Sequence, residues 1–120
     1  VYKRQVLEGG AIDVNGMGSI LLTKECFLSK IQQRNFGIKK KDYENMLSKF
    51  LNVNNFIWLN KGIKGDDTHG HIDDICRFVS PDTIMTAVEN NKKDVNYEIL
   101  QNNLCLLLWK SAQDYFFSKG

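Results

Sequence analysis

The sequence predicts an α/β fold made of a repeated ββαβ unit, and three observations carry that prediction. Strand-like stretches come in pairs around turn signals, an amphipathic helical stripe follows each pair, and the order starts again in the second half of the chain. A unit of this kind cannot cover both faces of its own sheet, so stacked copies are expected. At 120 residues the chain has the length of one domain or of a piece cut from a larger fold.

The elements follow in order. "VLEGGAIDVNG" alternates from Ala11 to Val14, meets Asn15-Gly16, and resumes as "SILLT", which reads as a hairpin with a glycine-bearing turn. After a polar stretch, Tyr43, Met46, Leu47, Phe50 and Leu51 fall at the spacing of one helical face, with Asp42 near the start. "NFIWL", Asn55 to Leu59, reads as a buried strand that completes the first unit, residues 1–60. The second unit, 61–120, offers "ICRFV", a Ser80-Pro81-Asp82 turn, "TIMTAV", and a stripe through Tyr97, Leu100, Leu104, Leu107 and Leu108. Trp58, Phe27, Phe50, Phe56 and Phe78 are expected in the core. No low-complexity linker separates the two units.

Composition excludes several classes. Hydrophobic residues make up 42% and charged residues 25%, which suits a soluble core-forming protein, and no apolar run nears the roughly 20 residues needed to span a bilayer. "VYKRQVLEGG" lacks the apolar core and cleavage site of a secretory signal. A net charge of +2 is too small to imply nucleic acid, and the basic run "KIQQRNFGIKKK" is followed by Asp42 and Glu44, as in a solvated loop. Three cysteines without CxxC spacing argue against a disulfide scaffold or zinc ribbon and for a reducing, cytoplasmic compartment. Cys26, Cys76 and Cys105 are each expected to be buried structural thiols.

The densest chemistry lies in "DDTHGHIDD", Asp66 to Asp74, which admits three readings. As T-H-x-H-x-D it resembles the zinc motif of the metallo-β-lactamase superfamily, with His69, His71 and Asp73 on one face of an extended segment. Against that, Asp74 stands where the motif continues with histidine, "KGIKGDD" interrupts the preceding strand, and the chain has only 2 histidines. A plain solvated loop is the second reading, with Asp66 positioning the loop and Asp13 and Asp74 as hairpin or solvent residues. The third is a metal-free guanidinium site. Hydrolysing that group needs carboxylates for its planar N–H edges, a nucleophile for its carbon, and an acid-base group. His71-x-Asp73 and "EGG" supply two of these needs.

"LEGGAIDVNGMGSILLTKECFL", then Arg34-Asn35, then "FIWLNKGIKGDDTHGHIDDICRFVSPDTI" resembles the agmatine deiminases, within the Porphyromonas-type peptidylarginine deiminase family of guanidino-group-modifying enzymes. The resemblance runs from Val6 to Leu107. It implies a pentein fold, a five-bladed α/β propeller of ββαβ modules, of which this chain would hold about two. It implies His71 as general acid-base, Asp73 as the carboxylate gripping two guanidinium nitrogens, Glu8 lining the substrate pocket, and Asp67 meeting the far amine of agmatine. The implied reaction turns agmatine and water into N-carbamoylputrescine and ammonia, through a thiouronium-type intermediate and without metal or organic cofactor. It belongs to putrescine and polyamine biosynthesis, and the resemblance is compatible with an oligomer.

The chain departs from the family pattern in three places. The family's nucleophilic cysteine lies in a G-x-x-H-C-x-T-Q-Q-like segment and a further aspartate in a W-x-R-D-like segment, and neither occurs here. "WKSAQDYFFSKG" also departs from the family after Leu108. An inactive fragment is therefore one expectation, and a peptidylarginine deiminase the nearest enzymatic alternative.

Overall fold

The structure, a computed structural model, describes residues 5–118, with side chains through 111. The first four residues of the N-terminal stretch and the side chains of most of "WKSAQDYFFSKG" lie outside the described residues. The order is β1 (Asp13–Val14), β2 (Ser19–Thr23), α1 (Lys24–Leu28), α2 (Lys40–Leu51), β3 (Asn55–Leu59), β4 (Cys76–Ser80), β5 (Thr83–Thr86) and α3 (Tyr97–Ser118). This is a mixed α/β chain. β2 is the central strand of a three-stranded sheet, antiparallel to β1 and parallel to β3, while β4 and β5 form a separate antiparallel pair.

The predicted hairpin forms because Asn15 and its glycines shape the turn. Asn15 Oδ1 accepts from the N–H groups of Met17 and Ser19 at 2.8 and 2.9 Å, and Gly16 and Gly18 take φ of 73° and 92°. Those angles suit a residue without Cβ. β2 then runs as four consecutive buried residues, since both faces of the sheet are covered. Ile20 and Leu22 point to one core with Trp58, Phe27, Tyr43 and Leu47, while Leu21 points to a second with Ile57, Leu59, Ile72 and Leu100. Trp58 and Tyr43 each meet Phe27 edge-on, at ring separations of 5.9 and 5.0 Å.

α2 follows its predicted stripe at Tyr43 and Leu47. Asp42 accepts from the Lys39 N–H at 3.0 Å, and Asn52 closes the helix in the left-handed region at φ 54°. Phe50, in its last turns, is 74% exposed rather than in the core. α1, unread in the sequence, starts where Thr23 Oγ1 accepts from the Cys26 N–H at 3.1 Å.

α3 also corrects the sequence reading. The face it turns to the sheet carries Leu100 and Asn103, and Leu108 and Cys105 are exposed. Asn103, 1% exposed, donates to the Lys61 carbonyl at 2.8 Å and accepts from the Asn60 N–H at 3.2 Å. It thereby ties α3 to the start of the long loop between β3 and β4. No helix among the described residues is long and apolar enough to cross a membrane.

Candidate functional site

Two backbone segments meet at the C-terminal end of the β2/β3 sheet: the Glu8–Ala11 turn and the loop from Asn60 to Asp74. The loop is packed closely before any site chemistry begins. A Cβ on Gly62 would lie 2.4 Å from Gly70 Cα, so two glycine backbones touch. Glu25 Oε2 accepts from the Gly62 N–H at 2.8 Å, and Thr23 Oγ1 donates to the Gly70 carbonyl at 2.6 Å. The helix that Thr23 caps therefore also anchors the loop.

Asp66 organises the loop from inside. Its Oδ1 accepts from the Thr68 N–H at 2.6 Å and from the Thr68 hydroxyl, and its Oδ2 from the Gly70 N–H at 2.9 Å. Burial works to raise its pKa, but the Thr68 hydroxyl and the N–H groups of Gly70, Thr68 and His71 outweigh it and hold the carboxyl at about 2. The turn leaves His69 at φ 59° and Gly70 at φ 95°. His69 faces Gln32 at 3.1 Å while His71 faces Glu8, so the two imidazoles part. His69, His71 and Asp73 do not gather as the T-H-x-H-x-D reading requires. Among the described residues, the one trio of potential metal donors lying within 4.8 Å of one another is Glu8, Cys26 and His71.

His71 sits between two carboxylates. Its Nε2 is 3.2 Å from Glu8 Oε2 and its Nδ1 is 3.9 Å from Asp73 Oδ1, with the imidazole 12% exposed. Gly10 makes the close packing possible, since a Cβ there would lie 2.6 Å from both His71 Nδ1 and Asp73 Oδ2. The second glycine of "EGG" thus makes room for the protein's own histidine and aspartate. The Asp73 N–H also donates to the Gly10 carbonyl at 3.2 Å. Asp73 keeps 35% of its side chain in solvent, so its carboxylate is open to a ligand. Asp67, next to Asp66, is exposed and makes no hydrogen bond or ion pair among the described residues.

Glu8 is fixed by a residue the basic run had hidden. Arg34 turns inward from that loop and places Nε 2.8 Å from Glu8 Oε2, while its other nitrogens donate to the carbonyls of Gln32 and Thr68. Burial tends to raise the Glu8 pKa, but the His71 hydrogen bond and the Arg34 charge bring it below the ordinary value. Asn35 clips the same segment by exchanging hydrogen bonds of 2.8 Å with the Val6 N–H and carbonyl. The Arg34-Asn35 pair is therefore a clasp, and only its appearance as a motif signalled it.

Cys26 lies beside this group, buried, with its thiol pushed up to about 11 by burial. Cys76 is buried as expected, its thiol pushed up to about 12 by burial, whereas Cys105 is exposed because it falls on the outer face of α3. Neither buried thiol is a ready nucleophile. Asp13 is the hairpin residue of the two alternatives: it lies in β1, its Oδ2 accepts from the Phe78 N–H at 2.6 Å and its Oδ1 meets Arg77 at 3.3 Å, joining β1 to β4.

Residues 1–114 match the model of the Porphyromonas-type peptidyl-arginine deiminase family. An agmatine deiminase of Medicago truncatula is 43% identical over 94 residues, which is 78% of this chain and 25% of that protein. Among solved structures, an agmatine deiminase of C. jejuni with substrate bound superposes with a TM-score of 0.81 at 34% identity, covering 87% of this chain and 31% of that one. The agmatine deiminase of Enterococcus faecalis gives 0.79 at 36% identity, covering 86% and 28%. The chain spans about 30% of the length of the curated relatives it matches.

Proposed function

The chain belongs to the Porphyromonas-type peptidyl-arginine deiminase family, and from that premise we propose that it carries the acid-base and carboxylate part of a site that hydrolyses agmatine to N-carbamoylputrescine and ammonia. One observation carries the reading: His71 held between Glu8 and Asp73 on the Gly10 turn, with Asp73 open to solvent. In this reading Asp73 receives two N–H groups of the planar cation as a bidentate pair. His71 gives a proton to the departing ammonia and then takes one from the attacking water. Glu8 lines the pocket and steadies the imidazole, and its bond to Arg34 keeps it ionised.

Asp67 favours agmatine over a peptidyl-arginine substrate. A free amine at the far end of the substrate calls for an extra carboxylate, and Asp67 is exposed with no partner among the described residues. The nucleophile is assigned to none of the three cysteines of this chain. Residues 1–60 and 61–120 are assigned to one complete and one incomplete ββαβ blade of a pentein propeller, working in the cytoplasm without a metal or organic cofactor. The hairpin face left open by β4 and β5 suits a neighbouring blade.

Calorimetric titration of the chain with agmatine tests the proposal. Weak binding is expected, reduced by about 2 kcal/mol in Asp73→Asn through loss of the charged hydrogen bonds, with no ammonia released by the chain alone. Equal binding by wild type and Asp73→Asn, or clear turnover without an added nucleophile, would overturn it.

A further inference from the structure

We propose that Glu8, Cys26 and His71 form a binding site for a thiophilic divalent cation such as zinc, and that a cation bound there takes His71 away from the guanidinium. The second half of the inference rests on the function proposed above; the first does not.

The donors are the right kind. Thiolate, imidazole and carboxylate are the three ligand types that zinc takes, and one atom of each lies within 4.8 Å of the others. Ligands on one zinc stand about 3.5 Å apart, so a bound cation draws the three donor atoms closer together. The three come from separate places in the chain, the Glu8 turn, α1 and the Asn60–Asp74 loop, so the gathering is a product of the fold.

A candidate for a second layer stands nearby. Asp73 Oδ1 is 3.9 Å from His71 Nδ1, just beyond hydrogen-bond reach; drawn closer, it would accept the second imidazole proton and leave the other nitrogen bare for a metal. Arg34 opposes the cation, because it holds Glu8 Oε2 at 2.8 Å. Glu8 Oε1 has the weaker hold, a long 3.5 Å contact with an Arg34 nitrogen, and is the oxygen a metal would take while Oε2 keeps its partner. Cys26 gives up its thiol proton to solvent, so the two anionic ligands neutralise the dication, and the Arg34 guanidinium leaves the cluster with one positive charge. No oxidation or reduction is involved.

Two consequences separate this site from a catalytic zinc centre. It uses Cys26 and Glu8 rather than His69 and Asp73 as partners of His71, and it blocks the acid-base group instead of activating water for it. Metal occupancy should therefore inhibit.

The test is titration of the full chain with cadmium(II), followed by thiolate-to-metal charge-transfer absorbance in a phosphine-reduced buffer. One equivalent should bind with that band, which EDTA removes. The band should survive Cys105→Ser, which deletes the exposed thiol, and vanish in Cys26→Ser. His71→Asn and Glu8→Gln should each weaken binding at least tenfold, and Asp73→Asn about 10–100-fold. Circular dichroism of these last three variants, whose side chains are partly exposed, keeps the test decisive even if Cys26→Ser misfolds. A band lost in Cys105→Ser, or unaltered in His71→Asn and Glu8→Gln, would overturn the site. Agmatine should raise the cadmium concentration needed; if it does not while the band behaves as expected, the shared use of His71 is wrong and the metal site stands.

Discussion

The β2/β3 sheet and the β4/β5 hairpin are both apolar in sequence, yet they are built to opposite ends. β2 and β3 are covered on both faces, so every residue from Ile20 to Thr23 and from Ile57 to Leu59 is buried. In the hairpin, burial alternates: Phe78 and Ile84 pair across the strands and pack inward, while Arg77 and Met85 pair on the open face. The parallel sheet supplies the rigid floor, and the loops carrying His71, Asp73 and Glu8 are fastened to its end. The hairpin joins that body through Asp13 and the second core, and keeps one face for something else. The site therefore depends on the sheet and little on the hairpin's outer face.

The largest expected effect comes from the floor. Leu22 is fully buried between Trp58 and the α1/α2 layer, and Leu22→Ala should cost about 4 kcal/mol, through lost burial and the cavity left behind. Urea denaturation followed by far-ultraviolet circular dichroism measures it. A loss below about 1 kcal/mol would mean that the sheet is not the stabilising body of the chain.

Next comes the seam between floor and site. Gly62→Ala places a methyl against the Gly70 backbone, where neither neighbour is a flexible side chain. A cost of about 3 kcal/mol is expected, together with weakened agmatine binding, because the displaced loop carries His71. Normal binding in a folded Gly62→Ala variant would show that the seam does not set the site's geometry.

A third test uses pH. The Asp66 carboxyl is lowered from 3.8 to about 2 by its loop donors. Since the folded-state value is the lower one, the stabilisation is fully present above the unfolded value and is lost as pH falls toward the folded one. Asp66→Asn should cost about 2 kcal/mol near neutrality. The gap to wild type should narrow once pH drops below about 4. Denaturant midpoints of both proteins across that range measure it, and a gap independent of pH would assign the loss to geometry rather than charge.

Much of the sheet and α2 was legible because period-two and helical patterns survive wherever one side of an element is buried. The short α1 was not, since five residues carry no period, and its only mark was Thr23 standing three residues before Cys26. Cys105 was misread because the whole stripe around it is apolar; two residues past Asn103, about 200° around the helix, it faces out. Phe50 kept its helical spacing, but the fully buried positions of α2 end at Leu47. At the site, His71 and Asp73 were legible as a spacing within one loop. The Arg34–Glu8 pair and the approach of Cys26 were not, because they join residues far apart in sequence, and nothing local marks Arg34 as inward-facing within a basic run.

The smallest effect should come from the hairpin's open face. Met85 is 64% exposed and lies opposite Arg77 on β4, so Met85→Thr removes little burial and keeps a residue that suits a strand. A change of under about 0.5 kcal/mol is expected in the isolated chain, with agmatine binding unaltered. The informative variable is concentration. If the open face pairs with another copy of the chain, wild type should become more stable as it is concentrated and Met85→Thr should not, because association shifts apparent stability by mass action. Sedimentation at two loadings distinguishes a face left solvated from one that binds itself, and a Met85→Thr loss above about 1 kcal/mol in the dilute monomer would erase the contrast between the two sheets.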